Sequence, residues 1–564
     1  MTPGVVETCA RAWPKSVEVP EPYRQACRLL GLSNRPRIVL AAGYAAGTAG
    51  SLVGMGVVAL AGGPSVAIAG LAILLFSSSI ALAVRYGVPF VARARRLRIL
   101  GAAPSLVTML TLGATLWGST ERAVEFATAA SEQSLADYLD RHARRSAGTP
   151  RSGLSTFVQQ WGDEFPALAT AVERIERATI APPGERPSIL ASARQCVLEG
   201  TRAEMSEFAA DLRAPATGLY AFGVLLPLAL VSLLPAANAA GVPVPTTLLV
   251  AVYGVVLPAA LCVASGWLLG QRPVAFPPEP VPRSHPDVPE GRWRAVAAGL
   301  GVGGAAGALS HSLGLGWGIP IAALGTGVGA TLVVHFHPAV QVRENVTAVE
   351  SGLPDALSAI GTRVERGQSV EAALDDVAEE QSGPLATLLH RGVRRQAILG
   401  VDVERAFRGQ HGALAAVPSH RTRQAATLLG AAAEIGPPAA ESVSAMGKHL
   451  SDLQRIEQEL RRDLAQVTGT LSNTAALFGP LVGGATVALG ETMGTAGPLG
   501  GPAPERVGLV VGWYVLVLAV VLTALSAGLR GGFDRVRVGH RVGVALMSAT
   551  ATFFTAVFAT RLVV

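Results

Sequence analysis

The stretch IVLAAGYAAGTAGSLVGMGVVALAG, residues 38–62, contains 25 residues and no charged side chain. A bilayer core about 30 Å thick requires roughly 20 consecutive apolar residues in a helix, so this stretch is long enough to cross a membrane. The whole chain has the same character, because its mean hydropathy is +0.41 and only 15% of its 564 residues are charged. The chain is therefore too apolar for a soluble protein of this length, and its composition predicts an all-α, polytopic membrane protein.

Nine segments satisfy the length requirement for a membrane-spanning helix. Among them is a Gly-rich hairpin whose turn is Gly-Leu-Gly-Trp-Gly at 314–318. The N-terminal residues up to Arg37 contain no apolar core of a signal peptide, so we expect the first span to direct membrane insertion. The nine predicted spans are about 38–62, 65–84, 216–238, 246–269, 295–313, 319–336, 472–490, 507–527 and 542–560.

The basic residues predict the orientation of these spans, because loops rich in Lys and Arg stay in the cytoplasm. The connections 63–64, 239–245 and 314–318 carry no charge. Of the basic residues near the spans, only Arg506 and Arg561 lie on the same side of the membrane as these uncharged connections. The N-terminus is therefore expected in the cytoplasm and the C-terminus outside the plasma membrane, with these arginines on the cytoplasmic side: Arg93, Arg95, Arg96, Arg98, Arg272, Arg292, Arg294, Arg530, Arg535, Arg537 and Arg541.

Two polar stretches then fall in the cytoplasm, and each is long enough for a helical-bundle domain of about 130 residues. In the second, Leu450, Leu453 and Ile456 begin an apolar pattern of helical spacing that continues to Val467 and leads into the span at 472. The predicted divisions are a cytoplasmic N-terminal segment 1–37, a hairpin 38–84, a first cytoplasmic domain 85–215, a hairpin 216–269, a Pro-rich linker 270–294, a hairpin 295–336, a second cytoplasmic domain 337–471 and three C-terminal spans 472–564.

The two cytoplasmic domains are interpreted as copies of one unit, shifted by about 250 residues. Asp211-Leu212 and Asp463-Leu464 also precede a span in each half, at a slightly larger shift. The matching pairs are Pro104 with Pro354, Ser119 with Ser369, Glu121 with Glu371, Ala123 with Ala373, Leu135 with Leu385 and Leu139 with Leu389.

Glycines inside the apolar spans superficially resemble dinucleotide-binding loops, but such a loop needs a strand before it and a helix after it. We interpret them as sites of close helix packing. His311, His335 and His337 lie in or near spans without acidic partners, so neither a metal site nor a proton relay is expected. The glycines concerned are Gly43, Gly47, Gly50 and Gly54 in the first span and Gly299, Gly301, Gly303, Gly304, Gly325 and Gly327 in the central hairpin.

No motif for a nucleophile, a phosphate loop or a metal ligand set occurs in the polar stretches, so no enzymatic activity, cofactor or metal is predicted. Cys9, Cys27, Cys196 and Cys262 lie too far apart for a zinc motif or a disulfide framework. The net charge of +6 flanks the spans and forms no nucleic-acid patch, so nucleic acid is not an expected partner. The paired acids Asp375-Asp376 and Glu379-Glu380 are either a solvated helix face or a docking surface for a basic partner.

The second domain carries Leu-Pro-Asp-Ala-Leu at 353–357, Glu-Arg-Gly-Gln-Ser-Val-Glu-Ala-Ala-Leu at 365–374 and Glu-Ile-Gly at 434–436. These motifs resemble the type II secretion system F family, the helical module of membrane platform proteins in type IV pilus, archaellum and type II secretion machines. The resemblance covers 338–490 well and the first copy in outline. Glu371 interrupts the apolar pair that the family has after its serine. A chain with two copies and nine spans is most similar to the archaeal pilus platforms of the PilC or TadC kind.

The resemblance implies a non-enzymatic platform on which pilin-like subunits are extracted from the bilayer and stacked, driven by a separate hexameric ATPase in the cytoplasm. The expected partners are that ATPase, the pilin-like subunits and the lipid bilayer, with a homodimer left open. The alternatives are an archaellum platform or type II-like secretion platform, and a secondary transporter with duplicated halves. The candidate partner-binding residues are Gly367, Ser369, Glu371, Glu434 and Gly436.

These five residues also have a purely local interpretation. The Ser369 hydroxyl is placed to cap the helix that begins at Val370, and Glu371 in its first turn is favoured by the helix dipole. Gly367 relaxes the preceding turn, and Glu434 before Gly436 marks a helix end. Two interpretations of these five residues therefore remain open: they mark helix boundaries, or they form a partner-binding surface.

Overall fold

The computed structural model shows an all-helical chain, with no strand among the residues that it describes. The helices are numbered α1 to α22 in chain order. Helical residues without a number also occur within 84–100. The described residues are 18–30, 36–59, 70, 77, 84–93, 95–97, 99–131, 134–146, 152–163, 165–240, 245–272, 279, 281–282, 285–289, 291, 293–494, 504–532 and 534–563.

The helices up to the end of the Pro-rich linker are α1 Glu21–Leu29, α2 Pro36–Ala59, α3 Ala103–Trp117, α4 Thr120–Ala130, α5 Ser134–Ser146, α6 Gly153–Trp161, α7 Pro166–Ile180, α8 Arg186–Tyr220, α9 Leu226–Ala239, α10 Thr246–Ala251 and α11 Leu257–Gly270. Those that follow are α12 Trp293–Ser312, α13 Ile319–Glu365, α14 Val370–Glu380, α15 Gly383–Leu399, α16 Val403–Arg408, α17 His420–Ile435, α18 Ala440–Asp463, α19 Ala465–Asn473, α20 Gly479–Gly494, α21 Pro504–Gly531 and α22 Arg535–Val563.

Short turns of other helix types join several of these elements. The π-helical turns continue a helix through an apolar segment, so that α8 runs directly into α9, α10 into α11 and α19 into α20. They are Ala221–Leu225, Val252–Val256 and Thr474–Phe478, and the 3₁₀ turns are Gly316–Gly318, Ala413–Ala416 and Pro437–Ala439.

Seven helices in the described part of the chain are long and apolar enough to cross a membrane. Their surfaces carry exposed apolar side chains, such as Val263 at 73% and Leu300 at 73% on the neighbouring α12, as expected where lipid replaces water. The seven are Pro36–Ala59, Arg186–Leu234, Thr246–Gly270, Gly316–Glu365, Ala465–Thr492, Glu505–Gly531 and Arg535–Val563.

The predicted count of nine spans is not confirmed. The segment 65–84 lies almost entirely outside the described residues. The segment 295–313 corresponds to α12, a 20-residue helix that is not among the seven. Its many glycines contribute little apolar surface, which explains why its length is sufficient and its hydropathy is not.

Close packing of α12 against α13 confirms the interpretation of glycines in this hairpin. A Cβ atom on Gly299 would lie 2.6 Å from the carbonyl oxygen of Gly327, and one on Gly303 would lie 2.8 Å from that of Ala323. The two backbones therefore touch, as in small-residue packing in membranes. Gly301 and Gly304 face open space, so not every predicted glycine takes part.

The connections between the apolar helices lie at two opposite ends of these helices. At one end, Glu491 accepts hydrogen bonds from Trp317 Nε1 at 2.9 Å and from Arg561 Nε at 2.8 Å. At the other end, Arg530 donates to Thr468 at 2.7 Å and Arg537 donates to Thr347 at 3.1 Å. The first group comes from the connections predicted to lie outside, and the second from those predicted to lie in the cytoplasm.

The two polar stretches share one apolar core. Buried side chains from 99–197 and from 349–453 form a single cluster, in which Leu106, Trp161, Leu357 and Leu453 are each at most 2% exposed. Inside it, Gln424 donates to Ser131 across the two stretches at 3.2 Å. A second cluster joins the apolar helices to the ends of α8 and α18. The polar stretches therefore form one helical body, which continues into the spans.

The predicted amphipathic helix at the end of the second stretch is confirmed over α18, but the helix is interrupted at Leu464, before the predicted pattern ends at Val467. Leu450, Leu453 and Ile456 are buried, as are Leu460 and Leu464, whereas Arg455 between them is exposed. This helix, α18, packs antiparallel to α13. A Cβ on Gly361 would meet the backbone nitrogen of Ser444 at 2.9 Å, while one on Gly447 would meet the carbonyl oxygen of Pro354 at 2.8 Å.

Candidate partner-binding surface

The turn between α13 and α14 contains three of the five candidate residues, and the structure explains each residue type. Gly367 has φ of +92°, in the region that favours glycine, and its N–H donates to Val364 at 3.0 Å. Ser369 is the N-cap of α14, and its Oγ accepts from the N–H of Ala372 at 3.2 Å. Glu371 lies in the first turn. The predicted cap is confirmed.

The exposed face of α14 is acidic. Glu371, Asp375 and Glu379 follow one another at four-residue spacing, so they form one stripe along the helix. No cation pairs with any of them among the described residues. The neighbouring acids are engaged, because Arg363 lies 2.5 Å from Glu380 and 3.8 Å from Asp376. The paired acids of the sequence therefore divide into a row that contacts Arg363 and a row that contacts no cation among the described residues.

The other two candidates lie in the turn between α17 and α18. Gly436 ends α17 with φ of +81°, and its N–H donates to the carbonyl of Ala432 at 2.8 Å. Its own carbonyl accepts from Ala439 at 2.9 Å, which begins the next turn of helix. Glu434 is exposed on the last turn of α17. Both residues mark a helix end, as predicted.

The antiparallel packing of α13 and α18 brings the two turns to the same end of the body. Helix α13 leaves the apolar spans at its start and ends at Glu365, and α18 starts beside that end. We call the three glycine turns at Gly118, Gly367 and Gly436 the distal end, because they lie at the end of the body away from the spans.

The Gly118 turn reaches the distal end through α3, which also runs antiparallel to α18. Ser105 and Gln454 line one cavity near the spans, and further along Thr108 contacts His449. Gly118 has φ of +65°, and Ser119 Oγ accepts from the N–H of Arg122 at 3.4 Å to cap α4. Glu121 receives a hydrogen bond from Ser119 Oγ at 2.7 Å, which lowers the pKa of Glu121.

A partly buried polar cluster within the second stretch was not predicted from the sequence. Arg421 forms ion pairs with Glu457 and, at 3.4 Å, with Glu350. Burial opposes the charge of Arg421, but the two carboxylates outweigh it, and the net effect raises the pKa of Arg421. Ser419 donates to Glu350 at 2.6 Å. These residues lie on different helices, so no local pattern in the sequence joins them.

The chemistry of the described residues gives no sign of a metal centre. They include no group of three or more His, Cys, Asp or Glu that could hold a metal ion. Cys27, Cys196 and Cys262 are free thiols, and Cys9 lies outside the described residues. Comparison with known proteins finds no matching family model, no matching curated protein and no matching solved structure.

Proposed function

We propose that this chain is a non-enzymatic platform in the plasma membrane for the assembly of type IV pilus-like filaments. In this role it couples a cytoplasmic secretion ATPase to the extraction and stacking of pilin-like subunits. The proposal combines the resemblance of 353–374 and 434–436 to the type II secretion system F family with the geometry of the helical body. An archaeal source and the PilC or TadC kind of platform belong to the same proposal.

One observation carries the mechanical part of the proposal. Helix α13 is continuous over 47 residues, which corresponds to about 70 Å, from the 3₁₀ turn at Gly316–Gly318 to the Gly367 turn. A partner that displaces the distal end would move the apolar segment of the same helix, because both belong to one continuous helix. Motion generated outside the membrane would thus reach subunits held beside the spans.

The proposed duplication of the cytoplasmic unit has structural support in matching local geometry. Ser119 and Ser369 each cap a helix of 11 residues, after a glycine with positive φ. The apolar partners are buried in both stretches: Ala123 and Ala373 at 0%, Leu135 at 0% and Leu385 at 2%, Leu139 at 0% and Leu389 at 4%. We infer that the two stretches are copies whose faces pack together in the shared core.

We assign the ATPase to the distal end and the pilin-like subunits to the exposed apolar faces of the spans. The acidic stripe of Glu371, Asp375 and Glu379 complements a basic surface, and no cation pairs with it in the described part of the chain. In this arrangement the distal end lies in the cytoplasm with the N-terminus, and the cluster of Trp317, Glu491 and Arg561 lies outside with the C-terminus.

Co-purification with a secretion-type ATPase tests the proposal. Deleting 337–471 would remove half of the shared core, so surface substitutions are the sharper probe. The double variant Asp375→Arg and Glu379→Arg should abolish recovery of the ATPase with the detergent-solubilised protein, because it reverses the charge of the stripe. Glu199→Arg, on the exposed surface of α8, is the matched control and should retain it.

Unchanged recovery with the double variant would show that Asp375 and Glu379 do not contribute to the interface. A second variant, Glu371→Arg with Glu434→Arg, then examines the rest of the distal end. Retained recovery in both variants would contradict the assignment of the ATPase to this surface. Size-exclusion profiles equal to the wild-type profile establish that each variant is folded.

A further inference from the structure

A cavity of about 240 Å³ lies where the cytoplasmic body meets the apolar helices. We call it the junction cavity. Its wall contains residues of the linker, of α13, of α17, of the end of α18 and of the connection between α21 and α22. Its charged lining residues are Arg272, Glu279, Arg343, Glu350, Arg421, Glu457, Arg461, Arg530 and Arg537.

The charged lining is unbalanced. Six arginines face three glutamates in the described wall, which leaves three positive charges in excess. The glutamates are already committed: Glu279 pairs with Arg423 at 2.5 Å, and Glu350 and Glu457 pair with Arg421. The excess is unchanged when the partners just behind the wall are included, because Arg423 adds one positive charge and Asp534, which pairs with Arg343 at 3.1 Å, adds one negative charge.

Three arginines of the wall have no carboxylate partner among the described residues. Within the described ranges, Arg530 and Arg537 hydrogen-bond only to the hydroxyls of Thr468 and Thr347. Arg272 is 8% exposed, and its Nε has no hydrogen-bond acceptor in the described part of the chain. Burial lowers the pKa of Arg272 to about 10, so the side chain remains charged at neutral pH. A buried charge without a counterion is costly, and an anion in the cavity would compensate it.

We propose that the junction cavity binds a phosphate-bearing anion, which is either the headgroup of an anionic phospholipid or a soluble phosphate compound. Planar guanidinium groups bind phosphate oxygens in bidentate fashion, and three such groups without carboxylate partners meet in this cavity. The cavity has room for a phosphate with a small organic group, since one water occupies about 30 Å³ in the liquid. Arg530 lies in the last turn of α21 and Arg537 in the first turn of α22, and a bilayer crossed by these two apolar helices would place its headgroups near such helix ends.

The site is lined by three parts of the chain that lie far apart in sequence. The linker supplies Arg272, the body supplies Arg461, and the connection between two apolar helices supplies Arg530 and Arg537. A bound anion would therefore bridge these three parts of the chain. This site is independent of the proposed platform function, because it rests only on the charges and the shape of the cavity.

The test uses the full-length protein and its thermal unfolding midpoint. In detergent after lipid removal, inorganic phosphate is titrated against chloride at equal ionic strength. In nanodiscs, phosphatidylglycerol is compared with phosphatidylcholine. We expect phosphate, phosphatidylglycerol or both to raise the midpoint. A response in detergent identifies a soluble anion as sufficient, and a response to phosphatidylglycerol alone identifies the lipid headgroup.

Variants assign the response to the cavity. Arg272→Gln should weaken the apparent affinity for the anion by about tenfold or more, as expected for the loss of a charge-assisted hydrogen bond. Arg462→Gln, an exposed neighbour outside the cavity, should leave it unchanged. If Arg272→Gln does not yield monodisperse protein, Arg537→Gln takes its place. No response to either anion, or equal responses in the wild type and the cavity variant, would overturn the proposal.

Discussion

The hydroxyl of Thr108 lies 3.1 Å from the ring nitrogens of His449, across 341 residues of chain. His449 is 4% exposed. Burial, together with the charges of Arg194 and Arg421, lowers the pKa of His449 to about 3. The ring is therefore neutral at physiological pH, and the hydroxyl and the imidazole satisfy each other inside the shared core. Like the hydrogen bond from Gln424 to Ser131, this contact connects the two polar stretches inside their shared core.

Stability should decrease as the pH falls below about 6.5, the ordinary pKa of histidine. Because the pKa of His449 is depressed in the folded protein, the unfolded chain takes up the proton first. The contribution of this group is complete above pH 6.5 and is lost towards about pH 3, at up to about 1.4 kcal/mol per pH unit. Denaturant unfolding at several pH values measures it. His449→Gln should flatten the profile, and the exposed control His390→Gln should not.

The N-cap of α14 should contribute measurably to stability. Ser369→Ala removes the acceptor for the N–H of Ala372 and should cost about 1 kcal/mol. Gly367→Ala should cost about 1–2 kcal/mol, because φ of +92° is unfavourable for an L side chain. The control is Ser351→Ala, an exposed hydroxyl on α13 that caps no helix. Equal unfolding free energies for the three variants would contradict this assignment.

Two adjacent glycines of α12 should respond in opposite directions to alanine. A Cβ on Gly303 would lie 2.8 Å from the carbonyl oxygen of Ala323, whereas one on Gly304 meets no atom within 4 Å. Gly303→Ala should separate α12 from α13 at a cost of about 1–3 kcal/mol. Gly304→Ala should be neutral or slightly stabilising, because alanine favours the helix. Thermal unfolding in detergent compares the two, and a loss of stability in both would argue against backbone contact.

The buried ion pair between Arg343 and Asp534 should be strongly coupled. The two side chains are 5% and 6% exposed and lie 3.1 Å apart. Asp534→Asn leaves a buried arginine unpaired and should cost about 3–5 kcal/mol, whereas Arg343→Met combined with Asp534→Leu should recover much of that loss. A double-mutant cycle of unfolding free energies with Arg343→Met, Asp534→Leu and their combination measures the coupling. Additive effects of the two single changes would rule it out.

Cysteine labelling tests the proposed sidedness. In a chain without its native cysteines, Ser312→Cys and Asp375→Cys place exposed thiols at opposite ends of the molecule. An impermeant maleimide applied to intact cells should modify the cysteine at 312 and not the one at 375. Both should react after the membrane is permeabilised. Labelling of 375 in intact cells would contradict a cytoplasmic distal end.

Much of the local structure follows from the sequence. The spacing of Leu450, Leu453 and Ile456 predicts an amphipathic helix, and Ser369 before a helix with Glu371 in its first turn predicts a cap. Both are confirmed, because each depends on residues within a few positions of one another. The count of nine spans was less reliable. The helix α12 is long enough to span a membrane, but its glycines contribute little apolar surface, and α12 is not among the seven apolar helices.

The sequence by itself determined that this chain consists of apolar and amphipathic helices, because the solvent that each helix requires can be read from its own neighbouring residues. Only the tertiary structure decided that the two polar stretches share a core through Thr108 and His449, and that Arg343 faces Asp534. The tertiary structure alone also places Arg272 and Arg530 in the wall of one cavity. The physical reason is that desolvation and charge pairing act between side chains far apart in the chain, and helical periodicity does not specify which helices meet.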